Sequence, residues 1–228
     1  MSRHEEKGTR AGVSRRSETS RRKTTAPSHR AAAEAPSQRR GWALRLARNL
    51  AFTAPLAMAG WLLLSPFLSL FVVKAAERLT RLFERPAVTR IELSQGEDAL
   101  ISRGDTRAGG RLPYGVRVTD IHFPLVLLIA IFLATPDVAA GERLANLGYA
   151  LLIVLFFFII DLFFWVKFAY ATQLGAWSAA HYGPFARNFW GLGKHILDLP
   201  VKLALPFALW AAFYLRQLAG ELFAEPRR

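Results

Sequence analysis

Apolar residues along this chain gather into four long blocks set apart by short polar stretches. The clearest block runs from Leu144 to Val166 and contains a single charge, Asp161, near its end. A helix rises about 1.5 Å per residue, so roughly 20 apolar residues cross a hydrocarbon layer of about 30 Å. Ala51–Val73 has the same length and no charge, with Pro55 and Pro66 inside it. Membrane helices tolerate such prolines where neighbours satisfy the freed carbonyls. Ile196–Leu215 is a further block, with Pro200 and Pro206. The block Ile121–Thr135 is shorter and ends at Pro136-Asp137. It suits a short span in a thinned bilayer, a re-entrant segment, or a span whose start is buried in protein. A true span is the reading adopted.

The polar stretches have periodicities of their own. Over residues 74–85, Ala75, Leu79, Leu82 and Phe83 alternate with Lys74, Glu77, Arg78, Arg81 and Arg85. This pattern predicts an amphipathic helix continuing from the first span and lying at the interface, stopped by Pro86. Residues 88–93 alternate with period two, residues 94–98 are turn-like, and residues 99–102 can return as a second strand. Gly104–Gly110 reads as another loop, and Tyr114–Val118 as a third short strand. About 30 residues cannot hold a core of their own, so this small sheet must rest on the membrane or on a partner. Gly175–His195 mixes Trp177, Tyr182, Phe185, Phe189 and Trp190 with glycine and a few charges, which predicts a loop in the headgroup layer.

Composition adds a tail. The chain is 52% hydrophobic yet carries a formal charge of +13, so charge and apolar surface are segregated. Residues 1–48 hold 13 of the 30 Lys and Arg against four acids, and Val13 is the only branched aliphatic residue before Trp42. Such a segment buries too little surface to offset its ordering entropy and is expected to be disordered. Arg39, Arg40, Arg45 and Arg48 lie just before the first span. They suit topology setting and anionic lipid headgroups better than nucleic acid. The fold class that follows is an all-α membrane protein of about four transmembrane helices, with a small extracytoplasmic β-hairpin insert and a disordered basic N-terminal tail. Its parts are a cytoplasmic tail (1–48), the first span with its amphipathic extension (49–85), the hairpin (86–119), a three-helix region (120–218) and a short end (219–228). The basic tail places both termini in the cytoplasm. Nine Lys and Arg in residues 74–120 work against this orientation, but the tail carries more.

Chemistry is sparse. The chain has no cysteine, which removes disulfides, thiolate nucleophiles and Cys-ligated metals. No His-Glu-x-x-His, Gly-x-Ser-x-Gly, phosphate loop or dinucleotide fingerprint is present, and Gly191-Leu192-Gly193 is too short to be one. No cofactor and no metal are expected, and the protein is read as no enzyme. An aspartate-based intramembrane enzyme would need two facing acids, for which only Asp161 and Asp198 offer themselves. Charged residues within spans are functional candidates by default. Asp161 is the first, with Lys167 too far along for an ideal helical pair. Asp198 and Lys202 are spaced to share one helix face and neutralise each other, and His195 can join that strip. Asp120 and His122 open the second block, either as a titrating pair at the membrane surface or as a helix start with Asp120 as N-cap and Pro124 early in the helix. Trp177 and Trp190 are the candidate interface aromatics.

Several short segments resemble one known family. These are Leu64-Ser65-Pro66-Phe67-Leu68, Thr89-Arg90-Ile91-Glu92-Leu93, Phe123-Pro124-Leu125, Leu133-Ala134-Thr135-Pro136 and Leu205-Pro206-Phe207-Ala208-Leu209-Trp210. Their order is similar to that of the exosortase H-associated membrane proteins, over residues 45–215. The resemblance implies an inner-membrane accessory or scaffold in protein sorting or envelope assembly. Its partner would be an exosortase-like transpeptidase, which resembles a Cys-His-Arg enzyme that this chain cannot be. The competing expectation is a small transporter or lipid-handling protein in which Asp161, Asp198 and Lys202 line a polar path.

Overall fold

The computed structural model describes residues 29–94, 98–105 and 115–223. It is mostly helical. Helix α1 (His29–Leu82) leads into a small sheet of β1 (Thr89–Ser94), β2 (Asp98–Arg103) and β3 (Val116–Arg117). The chain continues through α2 (Val118–His122), α3 (Pro124–Ala134), α4 (Ala140–Thr172), α5 (Ala176–His181), α6 (Pro184–Ile196) and α7 (Lys202–Phe223). A single π-helical turn, Leu197–Val201, joins α6 to α7 without a break. Three helical stretches are long and apolar enough to cross a membrane: Gly41–Leu82, Ala140–Thr172 and Pro184–Leu215. Val118–Ala134 is apolar but shorter.

Side-chain contacts fix how these stretches run. Asn49 Nδ2 and Thr53 Oγ1 donate to the carbonyls of Ala134 and Ala130, at 3.1 and 3.0 Å, so α3 runs antiparallel to α1. Arg45 meets Asp137 at 2.8 Å where α3 ends. From there α4 returns towards the sheet, and Tyr170 near its end reaches Thr89 at 2.8 Å. The α6–α7 helix comes back again, bringing Trp210 to 6.5 Å from Trp42. The chain thus passes along the bundle four times, with Trp42 of α1 and Trp210 of α7 towards one end and the sheet at the other.

The core lies where α1, the sheet, α3 and α4 meet. Val72 and Val73 of α1, Ile91 and Ile101 of the sheet, Phe132 of α3 and Phe158 and Leu162 of α4 are all buried. Most of α3 is buried as well, as an all-round apolar helix requires. The outer face of α1 is the opposite. Phe52, Leu56, Leu63, Phe67 and Phe71 recur at helical spacing and are exposed. Apolar surface on that scale suits hydrocarbon rather than water. In hydrocarbon the helices gain little from the hydrophobic effect. Close packing and hydrogen bonds between helices, such as those of Asn49 and Thr53, must hold them together.

The sheet is antiparallel in the order β1-β2-β3, with Ile91 opposite Ile101 and Asp98 opposite Arg117. All three strands sit where the alternation placed them, within a residue or two. The turn at 95–97, the loop at 106–114, and residues 1–28 and 224–228 lie outside the described residues.

Four expectations need correction. The tail expected to be disordered to residue 48 is helical from His29. Trp42, Arg45 and Asn49 are tied to α7, Asp137 and α3, and helix propagates cheaply from such an anchored segment. The aromatic stretch 175–195 is not a loop: α4 runs to Thr172, and α5 and α6 occupy most of the rest. Its glycines read as breakers, but Gly193 lets the α6 backbone press against the ring of Phe164, where a Cβ would come within 2.3 Å of a ring carbon. Asp120 is no N-cap, since α2 starts at Val118 and Asp120 lies inside it. Pro124 does occupy the first turn of α3. Finally, the polar stripe of the α1 extension is divided: Glu77 and Arg81 turn to the sheet, while Lys74, Arg78 and Arg85 stay exposed.

Candidate functional site: a clamped sheet and a charged cleft

Three polar residues of this region face the sheet: Glu77 and Arg81, one turn apart on α1, and Glu84 just past the helix end. All three reach the outer edge of β1. Glu77 accepts from the Ile91 amide at 3.4 Å, and Glu84 accepts from the amide and hydroxyl of Thr89. Arg81 donates to the Thr89 carbonyl at 2.7 Å. An open strand edge is a template for another strand, and here side chains of α1 occupy it. Lys74 and Arg81 also pair with Glu77, at 3.4 and 3.1 Å.

A buried ion network extends this clamp. Arg103, at the end of β2, donates from Nη1 to Glu84 at 3.1 Å and from Nε and Nη2 to both oxygens of Asp105, at 2.7 and 2.9 Å. Its guanidinium lies over the rings of Trp177 and Tyr170, 4.3 and 5.0 Å from their centroids. Lys167 of α4 stands 3.8 Å from Glu84. The side chains of Glu84, Arg103 and Lys167 are each less than a tenth exposed. Burial alone loosens the Arg103 proton, but the bond to Asp105 and the charges of Glu84 and Asp105 more than reverse this. The same bond holds the Asp105 carboxyl below its usual value, against a smaller opposing effect of burial. Burial raises the Tyr182 phenol nearby. Ser178 closes the corner by donating to the Tyr170 carbonyl at 2.7 Å. Charges of opposite sign thus cancel within one largely buried cluster, as such a network needs.

The second cluster gathers the acids and lysine expected from the sequence. Asp198 sits in the π-helical turn, with Lys202 at 2.6 Å and Lys194 at 3.5 Å. Asp198, Lys202 and Lys194 all lie near enough to act electrostatically on Asp161 of α4. Asp161 is fully buried, and neither of its carboxylate oxygens has a hydrogen-bond partner. Lys194 lies 3.6 Å from the ring centroid of Trp165, one turn beyond Asp161. Beside this group is a cleft of about 310 Å³, walled by Arg117 and Asp120 on one side and by Asp198 and Lys202 on the other. The two acids differ in setting: Asp198 is held by two lysines, whereas Asp161 has no hydrogen-bond partner.

His122 does not reach the protein surface. It is fully buried, with the Trp61 indole N–H on Nδ1 and Ser69 Oγ on Nε2, both at 2.9 Å. An indole N–H can only donate, so Nδ1 accepts and Nε2 carries the ring proton. The ring therefore donates to Ser69 and cannot take its proton as the base of a nucleophilic serine would. This histidine ties α2 to α1. Asp120 is exposed, and Trp177 and Trp190 are half-buried. Trp177 stacks on His181 at 4.2 Å besides carrying Arg103, and Trp190 packs on Phe163 and Phe164. His195 is exposed, with Phe168 at 6.2 Å, and does not join the strip. Lys167 belongs to the Glu84 network rather than to Asp161. Among the described residues, no group of three or more His, Asp or Glu is placed to hold a metal ion.

The sequence reading missed the clamp. Glu84, Arg103 and Lys167 lie far apart in sequence, and nothing in their spacing signals a common site. The only legible hint was the polar stripe of α1, which suits a headgroup layer equally well. No family model matches this chain, and no curated protein or solved structure matches it.

Proposed function

We propose that this protein is a non-enzymatic scaffold of the inner membrane, which holds a small rigid sheet at the extracytoplasmic surface for a membrane-protein partner. The observation that carries this reading is the clamp. The outer edge of β1 is sealed by Glu77, Arg81 and Glu84, and Arg103 and Lys167 join the sheet to α1 and α4. A sheet held this way does not pair with a partner strand through β1. It offers its outer face, where Arg90, Glu92 and Arg117 are exposed. In this reading the bundle crosses the bilayer four times, with the 118–134 helix as a short crossing among longer ones. The basic end of α1 stays in the cytoplasm by the positive-inside preference. Basic residues before the first span also attract anionic lipid headgroups. The resemblance of residues 45–215 to exosortase-associated proteins makes a membrane transpeptidase the partner to seek, in protein sorting or envelope assembly.

The test is purification from native membranes in mild detergent, with photo-cross-linkers placed at Arg90 and Glu92 and mass spectrometry of the adducts. One stoichiometric membrane protein cross-linked from both positions is the expected result. Adducts to lipid alone, or none, would overturn the scaffold reading. Because the chain lacks cysteine, single cysteines at Arg90 and Ser20 report the orientation directly. Labelling of intact cells should occur at the first and not the second.

A further inference from the structure

We propose that the outward face of the α1 extension, from Lys74 to Arg85, binds anionic phospholipid headgroups of the bilayer leaflet on the sheet side. This adds a lipid contact to the scaffold reading and does not depend on which protein docks on the sheet. It starts from a change of character along one stripe of α1. Phe52, Leu56, Leu63, Phe67 and Phe71 form an exposed apolar row. Phe52 to Phe71 covers about 28 Å at 1.5 Å per residue, close to a hydrocarbon core of about 30 Å. Lys74 and Arg78 continue the row at helical steps, and both are exposed. Cations therefore take over from apolar side chains on this face where the hydrocarbon ends and lipid phosphates begin.

Charge on this face has one sign. Glu77 and Glu84 are the only acids between Asn49 and Ala87, and both are buried with their carboxylates on β1. Lys74 shares Glu77 with Arg81. Arg78 and Arg85 are exposed, make no ion pair with a described residue, and take no part in the clamp. In the proposed orientation these cations lie away from the cytoplasm, against the positive-inside preference. Their charge calls for an anionic neighbour on that side, and an anionic lipid surface attracts basic side chains close to it. Leu82 and Phe83 lie between Arg78 and Arg85 and are 80% and 69% exposed. Apolar side chains among cations suit the layer where acyl chains meet headgroups. An acidic polypeptide would match the cations, but not a row that runs on directly into hydrocarbon.

The chain has no cysteine, so one fluorophore can be placed at Leu82→Cys in the full-length protein, reconstituted in phosphatidylcholine vesicles. Nitroxide-labelled phosphatidylglycerol and phosphatidylcholine, labelled at the same acyl carbon, are compared as quenchers. Half-quenching is expected at about fivefold less phosphatidylglycerol than phosphatidylcholine, the preference that one cation at an anionic surface supports. Arg78→Gln/Arg85→Gln should abolish the preference, and Arg78→Lys/Arg85→Lys should keep it. A fluorophore at Leu152→Cys, on the exposed side of α4, should show none. Circular dichroism and melting curves identify variants that misfold, and Arg85→Gln alone, beyond the end of α1, then carries the test. Equal quenching by the two lipids at Leu82→Cys overturns the proposal. So does a preference that survives the double glutamine variant or appears equally at Leu152→Cys. Quenching by neither lipid overturns it in favour of an acidic polypeptide, since the face then stands clear of the bilayer. None of these results alters the cross-links from Arg90 and Glu92, so the scaffold reading is judged separately.

Discussion

Replacing Arg103 with methionine tests the clamp most directly. Methionine keeps the apolar stem but removes the charge. Glu84 then loses its strongest partner while remaining buried, and Asp105 loses both of its bonds. Removing one member of a buried pair costs roughly 3–5 kcal/mol, most of it from the charge left behind. Here Lys167 stays near Glu84, and Thr89 still donates to it, so the low end applies. Loss of the guanidinium over Trp177 adds about 0.5–1 kcal/mol. The expected total is about 3–4 kcal/mol. The assay is reversible unfolding of purified protein in mixed micelles by a denaturing detergent, followed by circular dichroism and tryptophan fluorescence. Trp177 reports locally because Arg103 lies on its ring. Adding Glu84→Gln to Arg103→Met removes the orphaned charge, so the double variant should be more stable than the sum of the two single losses implies, by about 1–3 kcal/mol. A loss below about 1 kcal/mol would be that of a screened surface bridge. That result, or losses that simply add, would refute the buried-network argument.

Three further outcomes follow from the same geometry. The Asp105 carboxyl is depressed in the folded protein, so its stabilising effect is complete above its ordinary value of 3.8 and is lost as pH falls through the lower folded value. Acid titration of the Trp177 fluorescence should show this transition in wild type and not in Asp105→Asn. Gly193→Ala places a methyl group against the ring of Phe164, and should cost about 1–3 kcal/mol in the same unfolding assay. An unchanged midpoint would mean that α6 does not press on α4. Asp161→Leu removes a buried carboxyl with no partner, and should raise stability by roughly 1–3 kcal/mol. A loss instead would show that Lys194 or Lys202 supports that carboxylate.

Periodicity made the broad architecture legible. Long apolar blocks gave the membrane-length helices, and alternation of 88–93 with 99–102 gave the strand pair. The pairing of Asp198 with Lys202 also followed from spacing alone, since an i, i+4 pair meets on any regular helix. Other readings failed where local chemistry points two ways. Glycine and aromatic residues in 175–195 fit a headgroup loop as well as a helix packed through its glycines. Only the position of Phe164 decides between them. Asp120 and His122 fit a titrating surface pair or a capped helix start, and neither describes His122. Its burial against Trp61 and Ser69 depends on residues more than 50 positions away.

The sequence by itself determined what each segment had to face. Blocks of uncharged apolar residues demand hydrocarbon or a core, and the +13 charge confined mainly to the polar stretches sets where chain and water meet. Those are local properties, carried by composition and period. Tertiary structure decided which charges meet. It brought Glu84, Arg103 and Lys167 together across three elements, gathered Asp161 with Asp198 and Lys194, and opened a cleft between Arg117 and Lys202. Buried charges take their partners from whatever the packed helices and strands bring within a few ångströms, and no spacing along the chain records that.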